Sequence, residues 1–294
     1  MNKTFEGQFI FMTGATSGLG KEACCSLASR GANMIIAARS KKKGDDLLNY
    51  YKEKFPNGIG MISIYEGDLS SFSSVSALCK QVNSKYDSLD MILLNAGIMN
   101  FKFTESQDGI EETLQVNMLS NILIIDALWD LLKQSGESKL IITASALHRG
   151  IIHFNDIEFR KSFSSFRAYS QSKLAVILLT RYLAPRLSKH AIGVYAQHPG
   201  MVNTNLGDRA GALSRSIFRM MGKSPEKGAE NLLFLCNSDN QNLISGEYYA
   251  KMRVKKITKE SYDLSMAKKL ISISKDYLSP YLKNSDDLFG EKIS

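Results

Sequence analysis

Short apolar runs alternate with longer mixed stretches along most of the chain. The runs lie near 8–13, 33–38, 60–66, 90–95, 138–144, 191–197 and 246–250. They are too short and too evenly apolar for helices, and they predict buried strands. Stretches near 18–30, 41–55, 71–85, 107–134, 166–189 and 225–237 carry helical periodicity between them. No Pro/Gly/Ser linker, repeat or low-complexity tract interrupts the alternation. The pattern predicts one α/β domain over residues 1–250, a seven-stranded parallel sheet with right-handed crossovers and helices on both faces.

Three segments stand outside this alternation. Residues 146–165 form a long connection after the fifth strand. Residues 205–224 are amphipathic and flanked by Gly207, Gly211 and Gly222; such a stretch is expected to close over a substrate as a lid. Residues 251–294 read as a basic helical tail packed on the same domain.

The first strand leads into Thr13-Gly-Ala-Thr-Ser-Gly-Leu-Gly20 and then a helix stopped by Gly31. Strand, glycine turn and helix make the phosphate-binding corner of a doubly wound, Rossmann-type sheet. There the backbone approaches a pyrophosphate, and a helix N-terminus offers free N–H groups. The spacing is Gly14-x3-Gly18-x-Gly20 rather than the common Gly-x-Gly-x-x-Gly. Ser17 and Leu19 lie inside the turn.

A second motif lies far along the chain. Tyr169 and Lys173 are four residues apart on a predicted helix and share one face. An ammonium beside a phenol favours the phenolate, so the Tyr169 pKa is expected to fall. Such a tyrosine exchanges a proton with an alcohol or carbonyl.

Further signals fall in order just past predicted strands: Asp68-Leu69, Asn95-Ala-Gly97, Ser145 and His198-Pro-Gly-Met-Val-Asn-Thr204, with Asn117 inside a helix. With these motifs the chain resembles the single-domain short-chain dehydrogenases/reductases over about residues 5–250. Ala168–Ala175 and Pro199–Leu206 resemble the retinol-dehydrogenase-like branch. The resemblance implies a strand order 3-2-1-4-5-6-7 and a catalytic set of Ser145, Tyr169, Lys173 and Asn117. It places Asp68 at an adenine and Asn95 and Gly97 along a ribose wall. Lys173 is expected on the nicotinamide ribose, and Asn117 is expected to support a proton-relay water. Pro199, Gly200, Val202 and Thr204 complete the expected cofactor-binding set.

The second strand ends at Arg39, followed by Ser40, Lys41 and Lys42. A carboxylate there would select a ribose 2′-hydroxyl, and none is present. A guanidinium fork suits a 2′-phosphate, so the expected cofactor is NADP(H). The plainer reading of Arg39 is an exposed strand-end cation.

Composition narrows the rest. The net charge is +8, with seven Lys/Arg between 251 and 269 against Glu260 and Asp263. A solvated face explains this; contact with an anionic membrane surface is the sharper alternative. No nucleic-acid-binding motif accompanies the basic residues. The four cysteines show no metal-ligand spacing and no secretory segment precedes them, which suits reduced thiols in the cytoplasm. The first strand starts almost at once, so no N-terminal anchor is expected, and no run of about 18 apolar residues occurs elsewhere.

His148 stands on the predicted substrate side, while His198 is expected to pack at a strand end. A Gly-x-Ser-x-Gly elbow is missing, which disfavours a hydrolase. About 40 residues after the last predicted strand are too few for an epimerase's substrate domain. A non-catalytic nucleotide-binding scaffold is the remaining alternative, but Ser145, Tyr169 and Lys173 are all intact.

Ile151, Phe154, Phe166, Leu213, Ile217 and Phe218 in the outlying loops suggest an apolar pocket for a lipid-like alcohol, aldehyde or ketone. Core packing explains many of them equally well. The stretches 122–129 and 176–179 are apolar beyond one core-facing stripe, which makes a homodimer an expectation.

Overall fold

The structure, a computed structural model, describes residues 4–200 and 224–290. The alternation folds as predicted. Strands β1 (Phe9–Thr13), β2 (Asn33–Ala38), β3 (Ile62–Glu66), β4 (Met91–Leu94), β5 (Ser138–Thr143), β6 (Ile192–His198) and β7 (Tyr248–Ala250) pair in parallel. Their order is β3-β2-β1-β4-β5-β6-β7, with β8 (Arg253–Val254) beyond. Helices α1 (Gly18–Ser29), α2 (Lys41–Lys54) and α3 (Phe72–Asn83) make the first crossovers.

The eighth strand corrects the seven-stranded, all-parallel expectation. β8 runs antiparallel to β7 across a two-residue turn of Lys251 and Met252, at φ 54° and 58°. Such turns favour Gly or Asn. Neither is present here, and both β8 residues are exposed, so no sequence pattern marked the strand. The Met252 N–H donates to Asn231 Oδ1 at 2.8 Å, which ties the turn to the fold.

The helix expected over 107–134 is broken. It starts at α4 (Glu112–Leu114), where the Glu111 carboxylate accepts from the Thr113 and Leu114 N–H groups. A wider π turn over Gln115–Leu119 follows, then α5 (Ser120–Ala127), a break at Leu128 and α6 (Trp129–Gln134). Glu105 instead bridges Glu111 in an extended pair. Helix α7 (Ser165–Leu187) is continuous for 23 residues.

Two apolar layers cover the sheet. One holds α1, α2 and α8 (Pro225–Asn237); the other holds α3, α5 and α7. The tail folds as α9 (Leu264–Leu278) and α10 (Ser285–Phe289). Leu270, Ile271, Leu278, Leu288 and Phe289 are buried in the same layer as α7. The Asp126 carboxylate of α5 accepts from the Lys283 and Asn284 N–H groups at 2.7 and 2.9 Å, and so anchors the link between α9 and α10.

This packing accounts for the apolar surplus read as a dimer face. Ile122 to Ile125, Leu128, Trp129 and Val176 to Leu179 are all buried within the one chain. A parallel sheet on one side and the tail on the other bury the helices nearly all round. Those stretches therefore offer no dimer face, and sedimentation at micromolar concentration tests for a 32.7 kDa particle. Twice that mass would show that another face carries a dimer.

The predicted lid at 205–224, apart from Ser224, lies outside the described residues, as do Val202 and Thr204. Among the described residues no helix is long and apolar enough to cross a membrane.

Candidate active site

The glycine corner forms where the sequence placed it. Gly14 has φ +68°, and a Cβ there would lie 2.7 Å from the Ala96 Cα. A Cβ on Gly20 would meet the Gly14 carbonyl oxygen at 2.0 Å. Only glycine lets α1 start so close to the ends of β1 and β4. Ser17 is extended and makes no side-chain cap, and the first turn of α1 carries no acidic residue. The N–H groups and positive dipole end of α1 thus remain available to an anion. Leu19 is buried beneath the turn.

A chain of polar side chains runs across the carboxyl ends of the strands. Asn231 Nδ2 donates to Gln197 Oε1 (3.3 Å), Gln197 Nε2 to Thr143 Oγ1 (2.8 Å), and Thr143 Oγ1 to Asn95 Oδ1 (3.2 Å). Asn95 Nδ2 then donates to the Gly14 carbonyl at 3.0 Å. Both ends of the Asn95 amide are therefore bonded to protein. Asn95 braces β1, β4 and β5, and its neighbour Gly97 faces the reacting end. A Cβ on Gly97 would lie 3.1 Å from Lys173 Nζ and 3.4 Å from Asn117 Oδ1.

Asn117 sits in the π turn. Its Oδ1 accepts from the Ile98 N–H at 2.8 Å, while Nδ2 donates to Ile98 O and Ser172 Oγ, both at 2.9 Å. It clamps the loop after β4 to α7 one residue before Lys173. Its main-chain carbonyl accepts from Asn121 Nδ2 at 2.7 Å.

Helix α7 brings Tyr169 and Lys173 to one face, as their spacing required, and β5 delivers Ser145 opposite them. The Ser145 hydroxyl accepts from the Leu147 N–H at 3.2 Å and lies beside the Tyr169 phenol. Lys173 Nζ lies 5.7 Å from the Tyr169 ring centroid and donates to the Thr143 carbonyl at 2.9 Å. All three are buried. That burial reverses one expectation. It pushes the Tyr169 phenol up, and the neighbouring Ser145 hydroxyl pulls it back. Burial also pushes the Lys173 ammonium down to about 8. Desolvation outweighs the attraction that the Tyr–Lys spacing suggested.

Other expected residues are placed with mixed results. Arg39 is exposed at the end of β2. Ser40 caps α2, accepting from the Lys43 N–H. Glu66 lies next to that corner, paired in register with Ala38 and accepting from the Lys41 N–H at 3.2 Å. Asp68 Oδ1 accepts from the Ser70 N–H and hydroxyl, both at 2.9 Å, which folds the loop after β3. Pro199 follows β6, and Gly200 turns the chain at φ +86°.

His198 stacks on Tyr248 at 6.4 Å, and burial holds its pKa down to about 4. Thr143, Ser172 and Tyr248 also stand at this site, and the sequence reading did not single them out; His148, which it did, lies against the Ser145 carbonyl. Their signal lies in position alone, just past or at the end of a strand, or beside Lys173.

Comparison with known proteins identifies the family. A family model described as short chain dehydrogenase matches residues 8–212. Mouse retinol dehydrogenase 14 is 32% identical over 91% of this chain and 85% of its own length. Human retinol dehydrogenase 11 is 30% identical over 92% and 86%. Among solved structures, an uncharacterized protein from Mycobacterium Paratuberculosis superposes with a TM-score of 0.77 at 26% identity, covering 95% and 96% of the two chains. A Pseudomonas aeruginosa RhlG/NADP active-site complex has a TM-score of 0.65 at 22% identity, over 83% and 94%, and so shares the fold. The family match and the similarity to the retinol dehydrogenases along nearly the whole length agree, and the chain belongs to the short-chain dehydrogenase/reductase family of oxidoreductases, among its retinol-dehydrogenase-like members.

Proposed function

We propose that this protein is an NADP(H)-dependent oxidoreductase acting on a hydrophobic alcohol, aldehyde or ketone of retinoid-, steroid- or lipid-like character. The convergence of Ser145 and Lys173 on the buried Tyr169 carries the reading. The residues fit a nicotinamide dinucleotide. The uncapped start of α1, with Gly14, Ser17, Gly18, Leu19 and Gly20, suits the pyrophosphate. Asp68 keeps Oδ2 for an adenine amino group, and Arg39 suits a 2′-phosphate. Gly97 and Lys173 border the nicotinamide ribose, with Asn95 bracing that wall. Pro199 and Gly200, and beyond them Val202 and Thr204, complete the set.

A bound nicotinamide supplies or takes the hydride. The chain's own residues handle the proton. Tyr169 is a neutral phenol at pH 7, because its pKa is raised. In reduction it gives its proton to the substrate oxygen. In oxidation the phenolate takes the proton back, so oxidation should quicken as pH rises. Ser145 offers its hydroxyl to the same oxygen and to Tyr169. Lys173, held by the Thr143 carbonyl, keeps an ammonium near the developing charge below about pH 8.

The decisive experiment is a substrate panel with purified protein. It should include all-trans-retinal, steroid ketones, prenyl aldehydes and small aldehydes, with NADPH absorbance as the readout. Turnover with an apolar carbonyl is expected. A protein that binds NADPH and reduces none of them would be the scaffold of the alternative reading.

The cofactor assignment has its own test. A charge-assisted bond to a 2′-phosphate is worth about 1.5–3 kcal/mol, so NADPH should bind at least about tenfold more tightly than NADH. Arg39→Asp should reverse that order, because a carboxylate repels the phosphate and accepts from a ribose hydroxyl. Equal affinities in the wild type would remove Arg39 from cofactor choice.

A further inference from the structure

The chain carries no carboxylate at the end of β2, but the fold brings one there from β3. Ala38, the last residue of β2, pairs in register with Glu66, the last residue of β3. The Gly67 N–H donates to the Ala38 carbonyl at 2.9 Å and fixes that register just past both strands. Helix α2 lies close on β3, because Gly44 leaves room for it: a Cβ there would meet Ile64 Cγ2 at 2.6 Å. The first turn of α2 is thereby set beside the end of β3. There Glu66 Oε2 accepts from the Lys41 N–H at 3.2 Å.

The carboxylate is thus held beside Arg39, Ser40 and Lys41, the corner proposed to seat a 2′-phosphate. A backbone N–H holds it, not a neighbouring cation. Arg39, Lys41 and Glu66 are all exposed, and among the described residues Arg39 has no ion-pair partner. The guanidinium is open to an anion, yet a negative charge stands next to it. Two N–H groups of the first turn are already used, Lys41 by Glu66 and Lys43 by the Ser40 hydroxyl. Asp68, the next carboxylate along the chain, is tied to Ser70 instead.

A phosphate at this corner meets attraction from Arg39 and repulsion from Glu66. A ribose 2′-hydroxyl is uncharged and feels neither strongly. We propose that Glu66 is a specificity-determining residue of the cofactor site: its carboxylate, held at the start of α2, opposes a 2′-phosphate and limits the preference for NADPH that Arg39 creates. The inference rests on the proposed seating of that phosphate at Arg39. It has a consequence that helix capping lacks. A residue that only capped α2 would act on both nucleotides alike, whereas a charge discriminates between them.

The test is fluorescence titration of the full-length protein with NADPH and with NADH, at low and at high salt. Glu66→Gln removes the charge and keeps a side-chain oxygen for the Lys41 N–H. It is expected to tighten NADPH about fivefold, the upper range for one exposed charge contact, and to leave NADH within about twofold. The gain should shrink at high salt, because these charges face solvent. Glu66→Lys loses the acceptor and reverses the charge, so tighter NADPH binding there separates charge from capping. Arg39→Gln checks the seating itself and should loosen NADPH about tenfold.

An unchanged NADPH affinity in Glu66→Gln, or both nucleotides tightened by the same factor, overturns the role of Glu66. Weaker NADPH binding in either Glu66 variant would show that the cap matters rather than the charge, and overturns it too. A loss in Arg39→Gln with no change in Glu66→Gln removes Glu66 alone. If Arg39→Gln leaves both affinities as they were, the seating of the phosphate at Arg39 fails, and the inference with it.

Discussion

Replacing Tyr169 by Phe is expected to cut turnover at least about 100-fold, the usual worth of a positioned general acid–base. The ring is buried on the inner face of α7, so Phe keeps its packing and removes only the hydroxyl. Loss of the phenol does not touch the glycine corner, which lies across the site. NADPH affinity should therefore stay within a few-fold of the wild type. Both can be read in one preparation, from NADPH consumption and from nucleotide fluorescence titration. Near-normal turnover would take Tyr169 out of the mechanism.

Lys173→Met is expected to separate stability from activity. The ammonium is buried, and burial lowers its pKa from the ordinary 10.5 to about 8. Folding therefore favours the neutral amine. The penalty on the charged form is complete below the folded value, relieved as pH rises through it, and gone above the unfolded value. At pH 7 the shift corresponds to about 3 kcal/mol against folding. Met removes that cost but leaves the buried Thr143 carbonyl without its donor, which costs about 1–3 kcal/mol. The two terms nearly cancel, with a small gain expected.

Denaturant titrations should thus find the variant as stable as the wild type or slightly more so at pH 7. The advantage should shrink between pH 8 and 10, as the wild type sheds the proton. Turnover should fall by about 100-fold or more, since the charge that faces the reacting oxygen is gone. A variant that is clearly less stable at pH 7 would show that Lys173 is held as a favourable ion. One that turns over normally would show that its charge is not used.

These two residues show how far a sequence carries the argument. Their spacing on one helix was plain in the chain, because an α-helix repeats every 3.6 residues whatever surrounds it. The direction of their pKa shifts was not. The pair alone suggested a depressed phenol, but burial under the strand ends acts on both groups and raises Tyr169 instead. Desolvation depends on everything packed around a group, and a window of five residues holds none of that information.

The same division runs through the fold. Strands β1 to β7 were legible because each is a short apolar run between polar punctuation, and their order followed from the family resemblance. β8 was not, since two exposed residues carry no burial pattern. The break inside 107–134 was hidden for another reason: its apolar residues kept helical periodicity, while Asn117 in the π turn bonds Ile98 of the loop after β4 and Ser172 of α7. The apolar surplus of α5 and α7 invited a second copy of the chain, but α3 packs on α5 and the tail packs on α7.

The sequence by itself determined the local rules: glycine where α1 meets β1, tyrosine and lysine one turn apart, and no carboxylate at the end of β2. Tertiary structure alone decided which distant residues meet. It tied Asn95 to both Gly14 and Thr143, joined Thr143 to Lys173 as well, and wedged His148 between Ser145 and Tyr248. Local conformation follows from neighbours along the chain, whereas hydrogen-bond partners and desolvation follow from neighbours in space, which exist only once the sheet has brought its strand ends together.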